Sequence, residues 1–300
     1  MEERLCPVCA STDVSHVFAA ERLHLDNLNS FAFASRKLPE YMNFRLIECP
    51  GCDLVYATPI FTPEHAEEAY NDASFDSGVE AAYAARTYAR YLTHILPRLP
   101  DRAGALDIGT GDGAFLQELI QAGFTGVVGV EPSAAPIAAA PETVKPLIRH
   151  TVFREEDFEP ESFRLITCFQ TVEHMHGILD MAQSMFRLLK PGGAVFIICH
   201  NRRGTLNTML GARSPIRDIE HLQLFSPSSL TALLTRSGFG RIRIRPIVNC
   251  YPISYWMRLS PLSVRAKEVA ARGLRALRLD TVPLSVPVGN LMGVGYKPIA

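Results

Sequence analysis

The chain has 300 residues, enough for one large α/β domain with a small appendage or for two medium-sized domains. Its hydrophobic content of 47% is typical of a packed globular protein and excludes a disordered one. The formal net charge of −1 at pH 7 provides no global attraction for nucleic acid, which binds to clustered lysine and arginine. A nucleic-acid partner is therefore not expected.

Neither a membrane span nor a targeting segment is indicated. The apolar run from Ala194 to Cys199 is far shorter than the roughly 20 residues that a transmembrane helix needs. The chain begins Met1-Glu-Glu-Arg4, which is acidic and is followed by no apolar stretch, unlike a signal peptide. These features predict a cytoplasmic protein.

Four of the seven cysteines form two Cys-x-x-Cys pairs, Cys6 with Cys9 and Cys49 with Cys52. Each pair places two thiolates on one tight turn, and two such turns complete a tetrahedral site of four sulfurs, for which zinc is the expected metal. Four thiolates leave no open coordination position, so the zinc is expected to be structural. The pairs are further apart than in a usual zinc ribbon, so residues 10–48 are expected to form an excursion. A redox-active or reduced pair is the alternative.

A domain boundary is predicted near Thr58-Pro-Ile-Phe-Thr-Pro63, because two prolines so close together oppose regular structure. Residues 1–62 then form a small zinc-ribbon-like domain, and residues 63–300 form the second domain. The second domain begins with a helical pattern over residues 64–97.

From residue 105 onward, strand and helix signals alternate. This alternation predicts an α/β fold with a mainly parallel, doubly wound sheet. The predicted strands are 105–108, 126–130, a weak one at 147–152, 163–169, 194–199 and 241–248, and the predicted helices are 113–122, 178–189 and 226–238.

The glycine-rich segment Gly109-Thr-Gly-Asp-Gly113 lies between a predicted strand and a predicted helix, where a ligand can meet free backbone N–H groups. Asp107 and Asp112 flank it, and these carboxylates would repel a diphosphate but attract an ammonium or sulfonium group. Glu131 ends the next strand, where it can accept hydrogen bonds from both hydroxyls of a ribose. The glycines also fit a dinucleotide-binding pattern, so a NAD-dependent oxidoreductase is the alternative.

Four segments together resemble the class I S-adenosylmethionine-dependent methyltransferases. Residues 105–113 resemble the first motif of that family, and residues 128–133 its ribose-binding strand end. Residues 163–175 are similar to its fourth-strand motif, with Arg164 where an aspartate is usual, and residues 188–193 match the turn before its fifth strand.

The resemblance implies a Rossmann-like, seven-stranded methyltransferase sheet whose last strand, over residues 290–297, is antiparallel. It also implies an enzyme that binds S-adenosylmethionine. Asp157 of the acidic loop 155–158 would hold the adenine amino group. The other implied cofactor-binding residues are Asp107, Gly109, Thr110, Gly111, Gly113, Glu131, Pro132 and Gln170.

The two cysteine pairs ahead of this domain resemble the zinc-binding domain of deoxysugar C-methyltransferases and related natural-product methyltransferases. This resemblance implies a small-molecule acceptor, such as a sugar or polyketide, that is methylated on oxygen or carbon. A zinc-containing RNA or protein methyltransferase is a further alternative, against which the near-neutral charge counts.

Two histidines are candidate catalytic residues, because a hydroxyl or an acidic carbon must lose a proton and histidine is the usual base near neutral pH. His174 follows the fourth predicted strand of the family pattern. His221 belongs to a His-x-x-x-Phe-Ser stretch that resembles a segment bordering the active site in many such enzymes. For each, a packing role is the alternative.

Residues 262–278 predict a basic amphipathic helix. Such a helix can rest on an anionic membrane surface, and ordinary packing or a dimer contact are the alternatives. One half of the helix carries Leu262, Ala266, Val269, Leu274 and Leu277, and the other carries Arg265, Lys267, Arg272, Arg275 and Arg278. The oligomeric state is not indicated.

Overall fold

The structure is a computed structural model that describes residues 1–23, 42–62, 78–260 and 262–299. The predicted helical region before residue 78 and much of the excursion between the cysteine pairs lie outside the described residues. Within the described residues, none of the helices combines the length and the apolar character needed to cross a membrane.

The described secondary structure alternates between strands and helices for most of the chain. The strands are β1 (Val17–Ala19), β2 (Leu46–Glu48), β3 (Val55–Ala57), β4 (Ala103–Ile108), β5 (Thr125–Glu131), β6 (Ile148–His150), β7 (Phe163–Phe169), β8 (Leu189–His200), β9 (Gln223–Leu224), β10 (Gly240–Pro252) and β11 (Pro283–Tyr296). The helices are α1 (Gly78–Leu92), α2 (Ala114–Gln121), α3 (Ala134–Ala139), α4 (Ile178–Leu188), α5 (Thr205–Leu210), α6 (Pro227–Arg236), α7 (Ile253–Leu259) and α8 (Val264–Ala276).

The main sheet has seven strands in the order β10-β11-β8-β7-β4-β5-β6. Strands β4 to β8 run parallel to one another, and β11 is antiparallel to both β8 and β10. The central strands β4, β7 and β8 are almost continuously buried, as expected of parallel strands covered by helices on both faces. The predicted seven-stranded, doubly wound sheet with an antiparallel last strand is confirmed.

Helix α6 shows how local sequence fixes one of the covering elements. Pro227 occupies its first turn, and Ser226 precedes it as the N-cap. The side chain of Ser226 accepts a hydrogen bond from the backbone N–H of Ser229 at 3.2 Å, and the Ser229 hydroxyl accepts one from the backbone N–H of Ser226 at 2.8 Å. Each cap satisfies an N–H that would otherwise have no partner, so the helix begins where the sequence predicts.

A second, antiparallel sheet has the order β1-β2-β3-β9. Its first three strands come from the N-terminal 57 residues, whereas β9 comes from far along the chain and pairs Leu224 with Val55. A strand from the second half of the chain thus completes the N-terminal sheet.

Candidate active site

The glycine-rich loop connects β4 to α2 at the edge of the sheet where parallel strands end, which is the usual ligand-binding edge of such sheets. Gly109, Gly111 and Gly113 have positive φ angles of 72°, 58° and 75°. The backbone N–H groups of Gly109 and Thr110 both donate to the Val130 carbonyl, at 2.9 and 3.1 Å, which folds the loop over the end of β5.

Two of these glycines have different surroundings. A side chain at Gly109 would collide with Thr171, so this glycine lets the loop pack on the segment that follows β7. A side chain at Gly111 would meet no atom of the described residues within 4 Å. The loop therefore leaves open space over its own backbone, as a ligand that approaches the chain closely requires.

Glu131 ends β5 and is almost completely buried, with 8% of its surface exposed. Its Oε2 accepts a hydrogen bond from the Gly111 N–H and its Oε1 accepts one from the Ser133 N–H, both at 2.9 Å. Burial raises the pKa of Glu131, although these two donors oppose the shift. Each carboxylate oxygen retains acceptor capacity for a ribose hydroxyl, and Pro132 follows directly.

Asp107 lies beneath the loop with 3% of its surface exposed. Its two carboxylate oxygens accept hydrogen bonds from the hydroxyls of Thr110 at 2.7 Å and Thr167 at 2.6 Å. Burial raises the pKa of Asp107 to about 6, the two hydroxyls oppose this shift, and the charge of Glu131 adds to it. Burial thus destabilises the ionised form of the Asp107 carboxylate, and a cationic ligand nearby would stabilise it.

Gln170 follows β7 with a positive φ of 52°, and its backbone N–H donates to the Ile198 carbonyl at 2.7 Å. Both polar atoms of its side-chain amide are buried, and neither has a hydrogen-bond partner among the described residues. A buried amide of this kind is costly unless something pairs with it. A positive φ angle and an unpaired buried amide are both typical of residues that contact a ligand.

The structure places His174 and His221 together, with their ring centroids 5.0 Å apart. The Nδ1 of His174 lies 3.2 Å from the Glu220 carbonyl oxygen, and the Nδ1 of His221 lies 2.9 Å from that of Ile216. Burial lowers the pKa of His174, although Glu173 opposes the shift. The direction of this shift favours the neutral form of the imidazole.

A third histidine, His200 at the end of β8, joins this cluster and was not predicted from the sequence. Its ring centroid lies 4.9 Å from that of His221. Oε1 of Glu173, which is fully buried, accepts hydrogen bonds from the backbone N–H of His200 at 2.6 Å and from its Nδ1 at 3.0 Å. Burial alone would raise the pKa of Glu173, but the hydrogen bonds from His200 and the electrostatic interactions with the His200 and His174 rings together outweigh it, and the pKa is lowered.

Asp157 is not brought to this edge of the sheet. It lines an opening beside Ala103 and Thr125, which begin β4 and β5, and its backbone carbonyl accepts a hydrogen bond from Arg149 at 3.1 Å. The six residues of β4, roughly 20 Å, separate this opening from the glycine-rich loop.

The four predicted cysteine ligands converge in the N-terminal sheet. The Sγ atoms of Cys6 and Cys52 are 3.5 Å apart, those of Cys9 and Cys49 are 3.3 Å apart, and all four lie within 4.8 Å of one another. Sulfurs about 2.3 Å from a tetrahedral zinc would be separated by about 3.8 Å, so the donor set and its spacing fit this metal.

A family model described as a methyltransferase domain matches residues 81–242, more than half of the chain. The chain therefore belongs to the methyltransferase domain family. Within this class it is an S-adenosylmethionine-dependent methyltransferase, and the predicted enzyme class is confirmed.

Relatives and solved structures agree with this assignment. The chain is 25% identical over 166 residues to a ubiquinone biosynthesis O-methyltransferase of Aliivibrio fischeri, covering 49% of this chain and 70% of the relative. It is 28% identical over 163 residues to that of Vibrio cholerae, covering 49% and 66%. The crystal structure of the YcgJ protein from Bacillus subtilis superimposes with a TM-score of 0.50 at 18% identity, covering 70% of this chain and 99% of that one, and shows the same fold.

Asp107 should make cofactor affinity depend on pH. S-adenosylmethionine carries an ammonium and a sulfonium, so its binding favours the ionised carboxylate, and we expect affinity to fall as pH drops through about 6. Calorimetric titration across this range measures the effect. Asp107→Asn should weaken binding and flatten the profile, whereas Glu142→Gln, at an exposed carboxylate, should change neither. An unchanged profile in Asp107→Asn would contradict this role.

In the ligand-free protein, the contribution of Asp107 to stability should change with pH in the opposite direction to its contribution to cofactor affinity. Because the folded-state pKa lies above the ordinary value of 3.8, the folded protein holds the proton more tightly than the unfolded chain. The contribution of Asp107 to the unfolding free energy therefore falls as pH rises from about 4 to about 6. Above that range Asp107→Asn should be the more stable protein in urea unfolding, by up to about 3 kcal/mol.

Proposed function

We propose that the chain transfers a methyl group from S-adenosylmethionine to a hydroxyl oxygen of a small-molecule acceptor, such as a sugar, polyketide or similar metabolite. The observation that carries this proposal is the His200–Glu173 pair, which lies at the carboxyl edge of the sheet among two further histidines. The relatives named as O-methyltransferases support a hydroxyl acceptor. Methylation of an acidic carbon would require the same proton acceptor and is the second candidate.

The cofactor is proposed to lie over the glycine-rich loop, against Gly109, Thr110, Gly111, Gly113 and Pro132. The open space at Gly111 and the unpaired amide of Gln170 support this position. Bound there, S-adenosylmethionine supplies an activated methyl group. The carboxylate of Glu131 accepts hydrogen bonds from the ribose hydroxyls, and Asp107 offsets the positive charge of the ligand. Asp157 has no part in this proposal, because it lies at the opposite edge of the sheet.

His200 is the proposed proton acceptor. An ionised carboxylate only accepts hydrogen bonds, so Glu173 requires the proton of the His200 ring to be on Nδ1. This leaves the lone pair on Nε2, for which no partner is found among the described residues. When the acceptor oxygen takes the methyl group, the bond from the methyl carbon to the sulfonium sulfur would break and S-adenosylhomocysteine would leave. The hydroxyl proton would move to Nε2 of His200, and Glu173 would stabilise the resulting imidazolium. His174 and His221 remain candidate catalytic residues, which we propose line the acceptor site.

We also propose that the four cysteines hold a structural zinc ion in a domain formed by residues 1–62, with residues 63–300 forming the catalytic domain. The convergence of Cys6, Cys9, Cys49 and Cys52 supports the metal. The pairing of β3 with β9 supports close association of the two domains rather than independent modules.

A calorimetric experiment tests the cofactor part of the proposal. Glu131→Ala should weaken S-adenosylmethionine binding at least about tenfold, because it removes hydrogen bonds made by a charged group. Glu142→Ala, which removes an exposed carboxylate, is the matched control and should bind normally. Binding of NAD in preference to S-adenosylmethionine would refute the proposed cofactor site.

The acceptor is tested by incubating the enzyme with S-adenosylmethionine and a panel of hydroxylated sugars, phenols and polyketides. Release of S-adenosylhomocysteine identifies the substrate, and nuclear magnetic resonance of the product locates the new methyl group. A new methyl ether confirms the proposed reaction. Methylation of carbon supports the second candidate, and activity only on protein or RNA rules out a small-molecule acceptor.

A further inference from the structure

The segment between β10 and β11 forms an exposed helical hairpin. Strands β10 and β11 continue as a two-stranded ribbon beyond β8, whose last residue, His200, pairs with Asn290. From Asn290 to Pro283 the ribbon extends seven residues, roughly 23 Å, past the carboxyl edge of the sheet. Helices α7 and α8 join its two ends, so the hairpin projects from the same edge that carries the candidate active site.

Helix α8 packs on the rest of the hairpin through only one face. The partly buried residues of this face are Ala266, Lys267, Ala270, Ala271 and Leu274, and no described side chain of α8 is fully buried. Only part of the predicted apolar half of the helix is therefore covered, because Val269 and Leu277 in that half are each 69% exposed. An isolated exposed leucine is common on soluble proteins, but a cluster requires a cause.

Exposed hydrophobic side chains are concentrated in the segment that forms this hairpin. Sixteen large hydrophobic side chains are exposed in the described part of the chain, and seven of them lie between residues 259 and 284. These seven are Leu259, Leu262, Val269, Leu277, Leu279, Val282 and Leu284.

Cationic side chains border this apolar surface. Residues 262–278 contain five arginine or lysine residues and one acidic residue, whereas the whole chain has a net charge of −1. Arg265 and Arg272 are exposed and lie beside Val269 on the helix, one turn apart in sequence from it. Positive charge is thus concentrated where the apolar side chains are exposed.

We infer that helix α8 and the exposed leucines and valines around it bind the surface of an anionic lipid bilayer. An amphipathic helix that lies in the plane of a bilayer buries its apolar side chains at the acyl boundary and keeps its arginines among the headgroups. A second copy of the chain docked symmetrically would place the same cations against one another. RNA would pair with the arginines but would leave the exposed apolar side chains without an apolar partner.

Vesicle co-sedimentation of the full chain tests this surface. The protein should bind vesicles of equimolar phosphatidylcholine and phosphatidylglycerol, bind phosphatidylcholine alone much more weakly, and dissociate at high salt. The double variant Val269→Asp/Arg272→Glu should lose at least about tenfold in partitioning, because it changes three unit charges and removes an inserted side chain.

The matched control is Ile120→Asp/Arg236→Glu, which makes the same charge change at two exposed positions on α2 and α6. It should bind vesicles as the unchanged protein does, and both variants should bind S-adenosylmethionine normally, which shows that they are folded. Equal partitioning of the two variants would overturn the inference. The inference would also be overturned if the wild-type protein did not bind the anionic vesicles but formed a dimer or bound RNA, and if only the α8 variant lost that interaction.

Discussion

Replacing Glu173 with glutamine is expected to lower kcat by roughly 10²- to 10⁴-fold, the range that a positioned acid–base group contributes. The substitution keeps the shape of a fully buried side chain but removes the charge that fixes the His200 tautomer and stabilises its protonated form. The loss should appear in kcat at saturating acceptor, with S-adenosylmethionine affinity unchanged.

Comparison with other variants separates this role from a structural one. His200→Ala should be about as damaging as Glu173→Gln, and the double variant should be little worse, because both changes act through one proton transfer. His94→Ala, at an exposed histidine after α1, is the control and should be fully active. If His174→Ala abolishes activity while His200→Ala does not, the proton acceptor is His174. An unchanged kcat in Glu173→Gln would indicate that this residue only packs.

The glycine-rich loop and the position of Glu131 could be predicted from the sequence because their determinants are local. The glycine-rich loop, its flanking aspartate and the acidic residue at the end of β5 lie within 25 residues of one another in a strand–helix–strand unit. The backbone conformation at Gly109 and Gly113 favours glycine, so the loop can be recognised directly from the sequence.

The cluster of His200, His221 and Glu173 was harder to predict because its contacts join distant parts of the chain. His200 stands at the end of an apolar run, and the sequence alone gives no reason to pair it with Glu173. One usable signal exists. If β7 and β8 are recognised as adjacent parallel strands, polar residues just past their ends must meet at the same edge. Asp157 was predicted to contact adenine from its position in the loop after β6. That strand has only three residues and is largely exposed, so its sequence pattern does not fix which residue of the loop lies at the sheet edge.

The association of the two sheets was not predictable from local patterns either. Strand β9 has only two residues, and its pairing with β3 spans more than 160 positions. Arg202 is nearly inaccessible and binds the carboxylates of Glu48 and Asp53 beside the second cysteine pair, with its Nη2 2.7 Å from Glu48. Only the folded chain shows that Arg202, two residues beyond the end of β8, is in direct contact with the turn that carries the second cysteine pair.

Loss of the four-cysteine site is therefore expected to impair the proposed acceptor site near His200. In the double variant Cys49→Ser/Cys52→Ser the turn that carries Asp53 would lose the proposed zinc ion, and structural zinc contributes about 10 kcal/mol or more to the folding of small metal domains. Arg202 would then be a buried cation without its partners, which costs about 3–5 kcal/mol. We expect β2, β3 and β9 to lose protection from hydrogen exchange and kcat to fall at least about tenfold.

The glycine-rich loop should not be affected in the same way, because it belongs to the other sheet. S-adenosylmethionine affinity should stay within about threefold, far less than the loss that removal of a charged hydrogen-bonding group such as Glu131 produces. Cys250→Ser, a buried cysteine outside the cluster, is the control and should retain zinc and hydrogen-exchange protection of β2 and β3. Metal analysis of the purified protein gives the decisive measurement. A wild-type chain without zinc, or a chelator that leaves β2 and β3 as protected as before, would contradict the structural metal and its coupling to His200.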